Sequence, residues 1–343
     1  MNAWQAWASP LGSAPLVFAH RGSSAALPEH TVAAYERAAV EGVDGFECDV
    51  RLTRDGHLVC IHDASITRTS NGRGRVTRLT LAELNRHDYS TWYHEKARIA
   101  NGGSVHVAPA TAADGILTLD RLLTLARGTG RPLRLLIETK HPSRYGGDVE
   151  RRLVDLLARH GLTAPAVGSG VAGSDGSGSG EPGPGEPGPG VSVTVMSFSA
   201  RALRRIRALA PEIPTVFLFD IPTPSVWSGR VPEGADMLGP SIRVIRYWPE
   251  IVRRAHDRGV GVMVWTVNEP ADIQQVRALG VDGIITDRPA DVLATLGRNP
   301  AGDRDGTGLA GGSATRTASP ETDGGRLGPC PSTTGVSSPG WLG

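Results

Sequence analysis

The sequence has almost no net charge, few cysteines and no long apolar run, and each deficit removes a class of function. Its 36 Lys and Arg residues face 35 Asp and Glu, a formal charge of +1. No long-range field therefore draws in nucleic acid or an anionic membrane, and any anion has to be captured locally. The three cysteines, Cys48, Cys60 and Cys330, share no CxxC spacing, which argues against a zinc site or a disulfide framework and fits a reducing cytoplasm. The opening residues, MNAWQAWASPLGSAPLVF, offer neither a basic n-region nor an apolar h-region, and no later run is long enough to span a bilayer. The expectation is a soluble, unexported, cytoplasmic chain without stable membrane insertion. Trp4 and Trp7 lack basic partners and no amphipathic period continues past Pro10, so they are expected to pack against the domain and not to anchor it at a membrane.

Large apolar residues are also scarce in two stretches rich in Gly, Pro, Ser and Thr. One covers 168–190 (GSGVAGSDGSGSGEPGPGEPGPG) and the other runs from about Pro300 to Gly343. Neither can bury enough surface to fold, and both are expected to be disordered. The organisation that follows is an N-terminal segment at 1–15, a single domain at 16–298 interrupted by the 168–190 insert, and a tail at 299–343. Without the two stretches roughly 270 residues remain, about the size of one α/β barrel.

Within that domain, short runs of Val, Ile, Leu and Phe alternate with segments of helical period, the pattern of repeated βα units around a parallel sheet. Eight strands are predicted, near 16–19, 45–52, 133–138, 193–197, 215–219, 236–239, 261–265 and 283–286. Helices are predicted between them at 31–41, 119–127, 149–160, 200–210, 249–258, 270–279 and 290–296, with Gly42, Gly161, Gly259 and Gly280 as stop signals. Eight such units predict a TIM (β/α)8 barrel of the α/β class. The sixth strand is the weakest, because the residues after it, Ile242 to Trp248, read as irregular. In this topology the 168–190 insert belongs to the N-terminal rim, away from chemistry, whereas Thr53 to Leu117 follows the second strand and overlies the catalytic face.

Ionisable residues collect where the predicted strands end. Strand one ends in His20-Arg21-Gly22, strand two carries Glu47 and Asp49, and strand three ends in Glu138-Thr139-Lys140. A period of two puts Glu47 and Asp49 on one face, and Glu138 and Lys140 likewise, with Cys48 and Thr139 turned towards the helices. Three carboxylates converging at a barrel mouth repel one another unless a cation lies between them. With oxygen ligands only, Mg2+ or Ca2+ suits such a site better than zinc. His20, and His62 after a short strand-like run at 57–61, could each take or give a proton beside a phosphodiester, while Arg21 and Lys140 neutralise charge on its oxygens. His87, His94, His106, His160 and His256 are read as structural. Phe198 and Trp265 follow strand ends and could wall a pocket, although barrel packing accounts for Phe198 equally well. Trp92 and Tyr93 lie in the overlying loop, where anchoring and substrate cover are both open.

Six motifs, spread in order along the domain, carry a resemblance. They are AHRGSSAALPEHT (19–31), GFECDVRLTRDGHLVCIHD (45–63), IETKHP (137–142), VMSF (195–198), VWTVN (264–268) and GVDGIITDRP (280–289). Together they resemble the glycerophosphodiester phosphodiesterase family; each alone is weak. The resemblance implies a TIM barrel holding a divalent metal on Glu47, Asp49 and Glu138, with His20 and His62 as acid and base. It also implies phosphate contacts from Arg21 and Lys140 and a pocket role for Trp265. The implied reaction is hydrolysis of small-molecule glycerophosphodiesters to glycerol 3-phosphate and an alcohol, with attack by the glycerol 2-hydroxyl and a cyclic phosphate on the way. The chain departs from the family where PENT is usual: it reads Pro28-Glu29-His30-Thr31. The expectation is that His30 opens the first helix as a poorer N-cap than asparagine, with a part in proton transfer as the lesser reading. Competing functions are cleavage of lysophospholipids in a phospholipase D fashion and a barrel that binds metal or phosphate without turnover. Self-association has no signature in the sequence.

Overall fold

Eight parallel strands close on themselves in a computed structural model that describes residues 14–93, 115–163 and 190–298. The expectations for Trp4, Trp7, His94, His106, Cys330, nearly all of the 168–190 insert and the tail lie outside the described residues. The barrel strands are β1 (Leu16–His20), β2 (Gly45–Leu52), β4 (Leu133–Thr139), β5 (Val191–Ser197), β6 (Thr215–Phe219), β7 (Met237–Pro240), β8 (Gly261–Val264) and β9 (Gly283–Thr286). Each pairs with the next, and β1 joins both β2 and β9, which closes the ring. The predicted TIM barrel is therefore correct. The strand-like run near His57 is β3 (Leu58–Cys60), an antiparallel partner of β2.

Alternation along the strands sorts side chains into two cores. Leu16, Phe18, Leu136, Met196, Val216, Leu218, Met237, Met263 and Ile285 fill the barrel. Val17, Ala19, Phe46, Cys48, Val50, Leu135 and Ile137 face outward against the helices. Those helices include α1 (Val32–Glu41), α3 (Leu119–Gly128), α4 (Asp148–Arg159), α5 (Ala200–Leu209), the short α6 (Pro224–Trp227), α8 (Glu250–His256), α9 (Pro270–Ala278) and α10 (Pro289–Thr295). All four predicted glycine stops adopt positive φ, and Gly42 (φ 86°) is the C-cap of α1. Cys48 and Cys60, distant in sequence, are free, buried thiols in the same outer core.

β2 can enter the barrel only because it begins with glycine. A Cβ at Gly45 would lie 2.1 Å from the Arg134 carbonyl and 2.7 Å from the Phe18 ring. Gly45→Ala is expected to destabilise the domain by about 1–3 kcal/mol, the usual cost of overpacking, read as a lower denaturant midpoint at unchanged m-value. An unchanged midpoint would mean that the strand shifts freely there.

Two local expectations are corrected. His30 is not the cap of α1: Thr31 holds that position and accepts a hydrogen bond from Ala34 N, while His30 is buried just before it at φ 58°. The stretch after the sixth barrel strand is not irregular. Ser241 accepts from Val244 N and starts α7 (Ile242–Tyr247), which buries Ile242, Val244 and Ile245 before Pro249 begins the next helix. The β2–β4 connection carries its own small core of Val59, Ile61, Ile66, Val76, Leu84, Tyr89 and Ile116, built around a 3-10 turn (Val76–Arg78) and α2 (Leu81–Leu84). Among the described residues no helix is long and apolar enough to cross a membrane.

Candidate active site

The inward positions of β2 and β4 change from packing to chemistry at their C-terminal ends. On β2 the sequence Gly45, Glu47, Asp49 climbs one face, and in the β2–β4 register Asp49 stands opposite Glu138. Glu47, Asp49 and Glu138 are buried, and one oxygen of each lies within 4.8 Å of the others. Metal–oxygen distances of ~2.1–2.5 Å place two ligands of one hard ion at most about 5 Å apart, so this spacing fits a single Mg2+ or Ca2+.

Electrostatics point the same way. Lys140 Nζ lies 2.8 Å from both Asp49 Oδ1 and Glu138 Oε1, and Arg21 Nε lies 2.9 Å from Asp49 Oδ2. Asp49 Oδ1 and Arg21 Nε nevertheless gain no hydrogen bond from these approaches, since the angles are wrong. Three carboxyls thus face two fixed cations, and with all three ionised the balance is net negative, repels a phosphodiester and is one that a divalent ion would reverse. Burial, reinforced by the Asp49 charge, pushes the Glu47 carboxyl well above its usual range, and the same causes push Glu138 up to about 8. Asp49 is also buried, but Arg21 and Lys140 beside it hold its carboxyl well below the usual range. An orphaned buried oxygen and two carboxyls raised by burial and mutual charge make a donor set that fits a divalent cation.

His20 stands at the end of β1 with Nδ1 2.6 Å from Asp287 Oδ1 and Nε2 3.9 Å from Glu47 Oε2. Asp287 follows β9, and barrel closure brings it beside His20. It accepts from Ser24 Oγ at 2.9 Å and from Asn268 Nδ2 at 2.6 Å. Although burial opposes ionisation, these donors and His20 keep Asp287 a carboxylate far below the usual range. His62 is arranged in parallel: its Nδ1 is 2.7 Å from Asp63 Oδ1, and its carbonyl accepts from Arg51 Nε and Nη2 at 2.9 and 2.7 Å. Burial, with the positive charge of Arg21, lowers the His62 pKa. Arg68 binds both Asp63 and Glu29, and Glu29 in turn accepts from Arg21 at 3.1 Å, linking the two histidine regions through charged hydrogen bonds. Despite its burial, Glu29 is held down to about 2, by Arg68 first and then Arg21.

His20, Arg21, Glu47, His62, Glu138, Lys140, Phe198 and Trp265 all line one cavity of about 200 Å3 at the barrel mouth. Phe198 and Trp265 meet edge to face at 5.4 Å, and Trp265 Nε1 donates to Gly239 O at 2.7 Å, which fixes the aromatic wall. Phe198 is 45% exposed, so it belongs to the pocket and not to barrel packing. Trp92 and Tyr93 act as loop anchors: their polar atoms bond the Tyr89 and Ala25 carbonyls. His160 and His256 pair with Asp120 and Asp282 away from the cavity, as structural residues should.

Sequence reasoning passed over Asp287, Asn268, Asp63, Arg68 and the true setting of His30. The His30 side chain bridges Tyr35 Oη at 2.9 Å and Asp49 Oδ2 at 3.0 Å, so it orients a carboxylate of the acidic cluster. A polar residue directly after a barrel strand is the available signal for Asp287.

Residues 20–170 and 185–291 match the model of the Glycerophosphoryl diester phosphodiesterase family. The chain is 42% identical over 291 residues to the Mycobacterium tuberculosis protein named "Probable glycerophosphodiester phosphodiesterase 1", covering 84% of this chain and 96% of that one. It is 30% identical over 278 residues to the glycerophosphodiester phosphodiesterase of Caldanaerobacter subterraneus subsp. tengcongensis, covering 81% and 96%. Among solved structures it resembles an Oleispira antarctica phosphodiesterase in complex with its product sn-glycerol-3-phosphate. That likeness has a TM-score of 0.63 at 22% identity and covers 87% of this chain and 100% of the other, a likeness of fold.

Proposed function

The chain belongs to the glycerophosphoryl diester phosphodiesterase family, and we propose that it hydrolyses glycerophosphodiesters to sn-glycerol 3-phosphate and an alcohol, using a divalent cation and two histidines. One observation carries this reading: a buried Glu47, Asp49, Glu138 cluster with metal spacing opens into the same cavity as His20 and His62.

Glu47, Asp49 and Glu138 would hold Mg2+ or Ca2+, which when bound supplies Lewis-acid polarisation of a phosphoryl oxygen and neutralises charge. The chain's own residues do the rest. With Nδ1 pinned to Asp287, His20 presents Nε2 to the cavity, and Asp63 does the same for His62. One imidazole takes the proton of the attacking hydroxyl and the other gives a proton to the leaving alkoxide. Arg21 and Lys140, which line the same cavity, balance charge on the phosphoryl oxygens. Phe198 and Trp265 offer apolar surface to the carbon skeleton and exclude water from one side.

Size favours a small substrate over a lipid. At about 200 Å3 the cavity falls below the ~300–1,000 Å3 of pockets that enclose drug-sized ligands, which suits a glycerol phosphate unit better than an acyl chain. The buried free thiols fit a reducing cytoplasm. Purified protein with Mg2+ or Ca2+ is expected to release glycerol 3-phosphate from glycerophosphocholine, to stop on addition of EDTA, and to act more slowly on lysophosphatidylcholine. A clear preference for the lysolipid would replace the substrate assignment; activity indifferent to EDTA would remove the metal.

A further inference from the structure

A second concavity, of about 310 Å3, adjoins the catalytic cavity and plays no part in the chemistry above. Its walls carry Arg51 from β2, Arg75 and Arg78 around the 3-10 turn, Arg144 from the loop after β4, and Lys140. Every other lining residue is neutral, so the pocket holds five cationic side chains and no carboxylate. Lys140 lines both cavities and is their common wall.

Surface arginines are ordinarily solvated or paired, and this chain with its charge of +1 has no general excess of them. Arginines elsewhere in the same connection do find acids: Arg54 reaches Glu83, and Arg68 reaches Glu29 and Asp63. By contrast, the side chains of Arg75, Arg78 and Arg144 have no ion-pair partner among the described residues, and Arg51 is bound only to the neutral His62 carbonyl. The two walls are held in place. Tyr145 Oη donates to the Thr77 carbonyl at 2.7 Å, and His141 lies 2.6 Å from Glu150 at the foot of the same loop. Guanidinium forks matched to anionic oxygens, converging in a concave site with apolar side walls, focus positive potential and attract a multiply charged anion.

We propose that this pocket is an anion subsite for the alcohol half of the substrate, taking a phosphate-class group and so favouring glycerophosphodiesters whose alcohol carries a second negative charge. The inference rests on the hydrolase reading given above. With the scissile phosphate beside Lys140, the leaving group extends past that residue into the arginine pocket, where a terminal phosphate meets the guanidinium groups.

The test compares glycerophosphoglycerol with glycerophosphoglycerol phosphate in the wild-type enzyme and in Arg75→Ala/Arg144→Ala. Both replaced residues are exposed and outside the catalytic cavity, so the fold and turnover of the neutral substrate should persist. The wild type is expected to favour the phosphorylated substrate by about tenfold or more in kcat/KM, and the variant to lose most of that preference while the neutral rate stays within about twofold; tenfold corresponds to about 1.4 kcal/mol. Equal preference in the two proteins, or none in the wild type, overturns the subsite. A calorimetric titration with glycerophosphoglycerol phosphate separates the two readings. Binding weakened in the variant sustains the pocket even where neither diester is cleaved, whereas equal binding removes it.

Discussion

His20→Ala is expected to lower the rate of glycerol 3-phosphate release by about 10²–10⁴-fold, the range that a positioned acid or base contributes, with little change in melting temperature. Both halves of that expectation follow from how His20 is held. Its Nδ1 is committed to Asp287, so the only ring atom available to substrate is Nε2, and removing it removes the proton carrier. Stability survives because Asp287 is not orphaned: Ser24 and Asn268 still donate to its two oxygens. Asp287→Asn should keep the imidazole present but poorly held, lowering kcat by about 10–100-fold, as loss of an orienting partner does elsewhere, with a smaller effect on KM. A folded His20→Ala protein with near wild-type turnover on glycerophosphocholine would transfer the role to His62 or to another group in the cavity.

How much of this was legible in the sequence depends on the range of the interaction. Period-two alternation is a local property, and it is enough to put Glu47 with Asp49 and Glu138 with Lys140; the register that sets Asp49 opposite Glu138 is fixed by tertiary pairing and is not a local property. The His20–Asp287 contact joins residues 267 apart and exists only because β9 closes on β1, so Asp287 reads in sequence as an ordinary residue before a helix. His30 was misplaced for a different reason. Thr31, a better cap, follows it directly, and the buried left-handed position at φ 58° is uncommon for a non-glycine residue and is sustained by the Tyr35 and Asp49 hydrogen bonds. The α7 helix was missed although Ser241 is a strong N-cap, because it spans only Ile242–Tyr247 and Pro249 follows closely. The arginine pocket draws on separate loops, and no linear pattern announces a surface assembled from them.

Glu47→Gln keeps the shape of the side chain and removes its charge, and it should cost the site about 100-fold or more in affinity for Mg2+ or Ca2+, since even outer-shell changes around a metal cost about 10–100-fold. Activity at subsaturating metal should fall in step, and titration with either ion measures the loss. The pH dependence of metal binding has a defined sign. In the metal-free protein the Glu138 carboxyl is raised, by burial and by Asp49, from its ordinary value to about 8, so near neutrality it must release a proton before it can serve as a ligand. Affinity should therefore weaken by at least about tenfold per pH unit as pH falls below that value, because Glu47, also raised, has a proton to release as well. The linkage to folding runs the opposite way: a carboxyl whose folded pKa is raised contributes stability that is complete below its unfolded value and is lost as pH rises through about 8. Metal-free wild-type protein should consequently melt at progressively lower temperature between pH 5 and pH 9, with added divalent ion restoring most of the difference at the alkaline end. Glu47→Gln should lose much of that restoration because the ion no longer binds tightly. A melting temperature that rises with pH in the absence of metal, or identical ion affinities for the wild type and Glu47→Gln, would break the link between the acidic cluster and the cation.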